Sequence, residues 1–199
     1  FQRRRVALPD QFDVSVYGAV APPIHLDPAR CGALPRRECI ADLHCVTTWT
    51  RAGLRWSGWS LRALWDGVVV PQAQPDATVR AAIVRGLDGF WTAFTLDDLL
   101  AADVLLADRL DDCPLTRAQG APLRLVAPAH YGYKQAKHVC AIELLHALPA
   151  RRTQVWFEHP RARVANEERG PFVSRWVYRT VYRATLPLMR RAFARAQRR

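Results

Sequence analysis

An α+β fold, with mixed or mainly antiparallel sheets joined by short helices, is what this sequence predicts, and three observations carry the prediction. The apolar runs are short, rich in β-branched and aromatic residues, and bounded by Gly, Pro and Asp. Helix-start signals head only short segments, at Asp27-Pro28, Ser60 and Thr95. At 199 residues, half of them hydrophobic and seven of them Trp, the chain suits one domain with a sizeable core. Many short strands joined by short helices mean α+β.

Taken in order, residues 1–10 read as an extended lead-in that starts with Arg3-Arg4-Arg5. Phe12 to Gly18 alternates apolar and polar residues, which predicts a half-buried strand ended by glycine. Ala21-Pro22-Pro23 is a turn. Asp27 is an N-cap with Pro28 at the first helical position, and that helix ends before Pro35. A core strand carrying Cys45 follows, broken at Ala52-Gly53, and then a second aromatic run, Leu54 to Ser60. Ser60 caps a short helix through Leu64-Trp65, and residues 71–76 form a loop. Thr78 to Val84 is a strand, with Asp88-Gly89 supplying hairpin turn chemistry between it and the next. Thr95 to Leu100 is a capped helix with acids in its first turn. Val104–Ala107, Leu123–Ala127 and Val139–Leu145 are strands, and Asp111–Pro114 is a turn.

From Gly170 the pattern is helical, with Pro187 as a kink or break. Trp176, Val177, Thr180, Val181 and Ala184 make an apolar stripe, while Arg175, Arg179 and Arg183 recur four apart. Such a helix either packs on the domain with a solvated basic side or docks on a membrane surface or a partner. The organisation expected is a domain over residues 1–150 and a basic, mostly helical C-terminal extension over 151–199.

The formal charge is +11, but from Arg169 onward there are nine Arg and no acid, so the rest of the chain is close to neutral. The basicity belongs to the tail, and the domain is not expected to bind nucleic acid. Five cysteines, Cys31, Cys39, Cys45, Cys113 and Cys140, lack both the regular spacing of a disulfide framework and the CxxC of a zinc site. A reducing, cytoplasmic setting is the simplest expectation, with periplasmic twin-arginine export if a leader has been trimmed ahead of Phe1.

The stretch with most chemical content is Leu43-His44-Cys45-Val46-Thr47-Thr48-Trp49-Thr50. A thiol where a strand turns into a loop is held rigidly enough to face a cavity, and thiolate is the ligand soft metals prefer. Most buried cysteines, by contrast, are small core hydrophobes.

Leu43 to Thr50, with the Trp-rich run Trp56 to Trp65, resembles the molybdenum-ligand segment of the sulfite oxidase-like molybdopterin oxidoreductases, a family that includes the sulfite oxidases and the periplasmic methionine sulfoxide reductase catalytic subunit. A second block agrees in order, Gln119 to Pro128 and then Tyr131 to Lys137. The resemblance spans roughly residues 14–145. It implies a sulfite oxidase-type fold and Mo-molybdopterin as cofactor. It makes Cys45 the catalytic metal ligand, flanked by His44, Thr47 and Trp49, with Trp56 as a further wall. By the same match Gln119, Arg124, Tyr131, Lys134, Gln135, Ala136 and Lys137 hold the pterin and its phosphate. Three positions depart from the family pattern. Gln119 stands where relatives place Asn or His, and Thr48 where many carry Gly or another small residue. Near Arg85-Gly86, relatives show Ser, Thr or Asp facing the cofactor, and no such side chain is evident. The resemblance implies oxygen-atom transfer to or from a small oxyanion or sulfoxide, with electrons passing to a separate partner, a cytochrome or membrane haem protein. The alternative is a non-catalytic module of the same fold whose basic tail binds a membrane or partner.

Overall fold

A computed structural model describes residues 6–150, 159, 161–170, 172 and 175–197. Two five-stranded sheets form the body. The first has the order β2-β1-β10-β5-β6, built from β1 (Val14–Gly18), β2 (Ile24–Leu26), β5 (Ala81–Gly86), β6 (Trp91–Thr95) and β10 (Val139–Leu145). The second runs β3-β4-β7-β8, from β3 (Arg37–His44), β4 (Thr50–Ser60), β7 (Leu105–Leu110) and β8 (Cys113–Pro114), with β9 (Arg124–Val126) also paired to β7. Among the described residues only β1 and β10 pair in parallel and the other strand pairings are antiparallel, so the sheets are mixed as expected.

The second sheet is apolar on both faces, and its side-chain alternation divides the core in two. Trp59, Leu106 and Leu125 join Val14, Val16, Val84 and Ile142 of the first sheet in the main core. Leu54, Trp56, Leu105, Ala107 and Val126 face the other way and form a second cluster under Cys39, Ala41 and Leu43 of β3. Close packing of β4 on β7 depends on Gly58. A Cβ there would fall well inside van der Waals contact with the Leu106 carbonyl and the Ala107 Cα, both backbone and unable to swing aside. Gly58→Ala should therefore lower stability by about 2–3 kcal/mol, read as a drop in the urea midpoint at unchanged slope.

The helices are short and capped as expected. Asp27 accepts from the Arg30 amide at the start of α1 (Pro28–Gly32), Ser60 from Ala63 at α2 (Leu61–Leu64), and Thr95 from Asp98 at α4 (Leu96–Leu99). Several expectations need correction. The helix begun at Ser60 continues as a π turn, Trp65–Val69, into α3 (Val70–Ala73), so Pro71 lies in a helix and only residues 74–80 are loop. Pro71 sits in the first turn of α3, where its missing N–H is tolerated. The strand expected from Thr78 starts at Ala81, and β2 was not expected at all, three residues being too few to show a period. The run after Cys45 is a tight turn, not strand: it must reverse the chain between β3 and β4, whatever its β-branched composition favours. Ala52-Gly53 does not break β4; Gly53, at φ +67, is accommodated within it. Nor is β3 a buried strand. It is the sheet edge, with Ile40 73% exposed and only its alternate residues turned inward. Finally, α5 (Arg175–Gln197) runs through Pro187 without a break.

Candidate functional site

β3 ends at His44 and hands Cys45 to a turn closed by two backbone bonds, Cys45 N–H to Trp49 O (2.9 Å) and Thr48 N–H to Cys45 O (3.1 Å). The sulfur is half-buried, its thiol is free, and it lies 3.0 Å from the buried Thr47 hydroxyl. Thr48 takes φ +74, a left-handed conformation that favours glycine and strains a β-branched residue. This gives the departure at Thr48 a physical content: the turn wants a small residue there. His44 pairs across the hairpin with Thr50 through Nδ1 and Oγ1 at 2.9 Å, and Trp49 is 38% exposed at the tip.

The second block is brought to this turn. Gly132 packs against the hairpin, since a Cβ on it would lie 3.4 Å from Leu43 Cδ1 and 3.5 Å from the His44 carbonyl. Tyr131 beside it is buried, and so are Gln135 and Ala136. The Gln135 amide donates to Ala127 O (3.2 Å) and His130 O (3.3 Å), and Ala136 accepts from the Leu125 amide of β9. Lys134 is fully buried, its ammonium bonded to the Ala93 carbonyl and set 4.3 Å from the Phe94 ring centroid, so it serves the packing of β6.

Arg124 and Lys137 converge on one small turn. Arg124 Nη1 donates to Gln119 O (2.8 Å) and Lys137 Nζ to Ala118 O. Gly120, at φ +112, wedges between the two stems: a Cβ there would sit 3.0 Å from Lys137 Cβ and 3.2 Å from Arg124 Cβ. Arg124 is buried, its guanidinium 4.7 Å from the Trp56 ring centroid. Burial pushes its pKa down to about 10, with no charged group offsetting the loss of hydration. Burial also lowers Lys137, and the neighbouring guanidinium lowers it further, against a smaller pull from Asp88. Two cations side by side, bonded to neutral carbonyls, are suited to an anion. Gln119 is placed differently from its expected partnership. Its side-chain oxygen accepts from the Thr116 amide (2.8 Å) in a capping box, and its backbone oxygen takes Arg124.

Two participants escaped the sequence reading. Asp88, buried in the β5–β6 turn, holds the Phe90 amide at 3.1 Å and acts on Lys137; it lies two residues past Gly86, where an acid was sought. Arg85 itself turns to Glu143 (2.5 Å) and Tyr17 (3.1 Å). Arg169 arrives from the C-terminal segment. Its Nη1 donates to Val46 O at 2.6 Å, and its guanidinium is 5.1 Å from the Tyr131 ring centroid, so it ties the cysteine turn to the second block. No local pattern marks it, because only the tertiary path of the chain brings it there.

A polar cofactor fits these residues. Buried polar atoms are nearly always hydrogen-bonded, yet Thr48 Oγ1, Arg124 Nε, Tyr131 Oη, Gln135 Oε1 and Arg169 Nε have no partner among the described residues. All five belong to the Cys45 turn, to the second block or to the arginine that joins them; among the other described residues only Trp59 Nε1, in the Trp-rich run, and Thr92 Oγ1 share that condition. A soft-metal thiolate at one end and paired cations at the other suit a metal chelate carrying a phosphate.

Residues 3–152 match the model of the oxidoreductase molybdopterin binding domain. The chain is 35% identical over 137 residues to the uncharacterized oxidoreductase YuiH of Bacillus subtilis, covering 67% of this chain and 65% of that protein. It is 25% identical over 170 residues to the protein-methionine-sulfoxide reductase catalytic subunit MsrP of Campylobacter jejuni, covering 74% and 55%. The crystal structure of the sulfane dehydrogenase SoxCD from Paracoccus pantotrophus shares the fold at TM-score 0.62 and 18% identity, over 78% of this chain and 43% of that one. The chain thus spans between about half and two thirds of the length of its curated relatives. It belongs to the sulfite oxidase-like family of molybdopterin-binding oxidoreductases, whose cofactor is Mo-molybdopterin.

Proposed function

We propose that this protein transfers an oxygen atom to or from a small sulfur-containing substrate, sulfite or a sulfoxide, at a molybdenum centre ligated by Cys45. The observation that carries the reading is the junction of the two blocks, Gly132 against the His44 carbonyl and Arg169 bridging Val46 and Tyr131. It sets a half-buried thiol beside the loop that leads to the paired cations. When bound, the molybdenum cofactor supplies two-electron redox chemistry and an exchangeable oxygen. The chain's own work is to hold and orient. Cys45 would offer its sulfur to the metal, and the Thr47 hydroxyl, 3.0 Å away, would hydrogen-bond that sulfur and tune it. Arg124 and Lys137 would grip the phosphate, while Gly120 keeps both stems close to the backbone. Gln135 and Tyr131 present unpartnered oxygens for the pterin edge, and Trp49 would wall the substrate side. His44, tied to Thr50, would steady the hairpin.

One relative is by name the catalytic subunit of a methionine sulfoxide reductase. A separate electron carrier, a cytochrome or membrane haem protein, is accordingly part of the proposal. Purified from cells able to make the cofactor, the protein should carry about one molybdenum per chain and, with an artificial electron carrier, turn over sulfite or a sulfoxide. Metal analysis and a screen of sulfite, sulfoxides and N-oxides test this. Protein without molybdenum would favour a non-catalytic module instead.

A further inference from the structure

We propose that the outward stripe of α5 is a docking surface for an anionic lipid membrane. The helix lies beyond the residues that match the family, and the first sheet and the cysteine hairpin do not need it to close their cores. Along its described side chains, exposure broadly follows the helical repeat. Trp176, Arg179, Thr180, Val181, Arg183, Ala184 and Pro187 are exposed, most of them at spacings of three and four, whereas Val177, Tyr178, Tyr182, Thr185 and Leu186 are half-buried. The helix is tethered beside that stripe: Tyr178 packs on Gly170 and accepts from the Phe172 amide, and Arg179, at the margin of the exposed side, pairs with Glu167.

What the outer side presents decides the occupant. Trp176 is 69% exposed and Val181 53%, with Phe172 64% exposed just ahead of the helix. Large apolar groups this open, flanked by arginine, match the composition of helices that lie in a membrane interface, where tryptophan sits at the headgroup level. The helix contains no Asp or Glu from end to end, and its charge is all arginine. A protein partner selects registry through paired charges of both signs, but an acid-free arginine face meets any anionic surface without a register. Nor does the helix span: no helix among the described residues is long and apolar enough to cross a membrane. It is complementary to a negatively charged bilayer face, with the aromatics entering and the arginines on phosphate. The anchor starts six residues after Arg169, which grips the cysteine turn, so a membrane-bound helix holds the candidate redox site close to the bilayer, within reach of a membrane-embedded electron carrier.

The test is sedimentation of the full-length protein with vesicles of phosphatidylcholine alone or mixed with phosphatidylglycerol. Binding is expected to the mixed vesicles, to weaken as salt rises, and to be negligible on phosphatidylcholine. Trp176→Ser/Val181→Ser and, separately, Arg179→Gln/Arg183→Gln should each weaken it roughly tenfold or more, Arg183 contributing most because Arg179 is shared with Glu167. Arg3→Gln/Arg4→Gln/Arg5→Gln, an equal or larger loss of charge at the other end, should leave most of the binding in place. Circular dichroism melting keeps misfolded variants out of the comparison. Absence of vesicle binding at low salt overturns the proposal, including the outcome in which only an acidic protein is bound. Loss in the residue 3–5 variant with retention in both helix variants overturns it as well. None of these readouts depends on molybdenum or turnover.

Discussion

Cys45→Ser is expected to abolish turnover and strip most of the molybdenum while leaving the fold in place. The two halves of that expectation have separate grounds. Structurally, the sulfur is half-buried in the hairpin turn, and its side-chain hydrogen bond is to the Thr47 hydroxyl. A serine hydroxyl keeps that hydrogen bond and creates no cavity, so stability should change by no more than about 0.5–1 kcal/mol. Chemically, an alkoxide is a harder and far more basic donor than a thiolate, and the metal loses the ligand that suits it. Plasma emission analysis, a thermal melt and an oxygen-transfer assay on the same preparation separate the two halves. A variant that folds, keeps its metal and turns over would remove Cys45 from the chemistry. One that fails to fold would mean that the thiol is a packing residue after all.

How much of this was visible in the sequence depends on how local the determinant is. The short helices were readable because their caps are single side chains acting on amides three residues away: Asp27, Ser60 and Thr95 each accept the expected bond. Strands such as β10 were readable from a continuous apolar run. The hairpin at Cys45 was misjudged as strand, since Val46, Thr47 and Thr48 have β-forming side chains while the closure of β3 onto β4 demands a turn. The edge position of β3 was equally hidden, because edge or centre is decided by which other strands arrive. Both blocks of the site could be named, but not their meeting, which Gly132 makes by approaching the His44 carbonyl. Asp88 and Arg169 were missed for the same reason. Gln119 shows the converse: its position was expected from the motif, yet its side-chain oxygen is engaged in capping a turn three residues back.

Arg124→Met should make the cofactor-free protein more stable and the cofactor-bound protein scarce. Arg124 is a buried cation whose described partners are the Gln119 carbonyl and the Trp56 ring, and desolvation pushes its pKa down to about 10. A base with a depressed folded pKa holds fewer protons when folded than when unfolded, so stability rises with pH between the two values. At neutral pH both states are protonated, and the full cost, on the order of 3 kcal/mol, is present. Methionine has similar length and carries no charge to desolvate. Against the relief stand a lost cation–π contact and a carbonyl deprived of its donor, each worth about 1 kcal/mol. The net gain in the urea unfolding of apoprotein should be about 1 kcal/mol at pH 7. The same substitution removes the planar fork that two N–H groups can offer a phosphate, which an ammonium at Lys137 cannot replace. Organic phosphate and molybdenum in the purified protein should drop together. Such a trade of stability for binding is what a functional cation predicts, because a purely structural arginine would destabilise the fold on removal and leave cofactor content untouched.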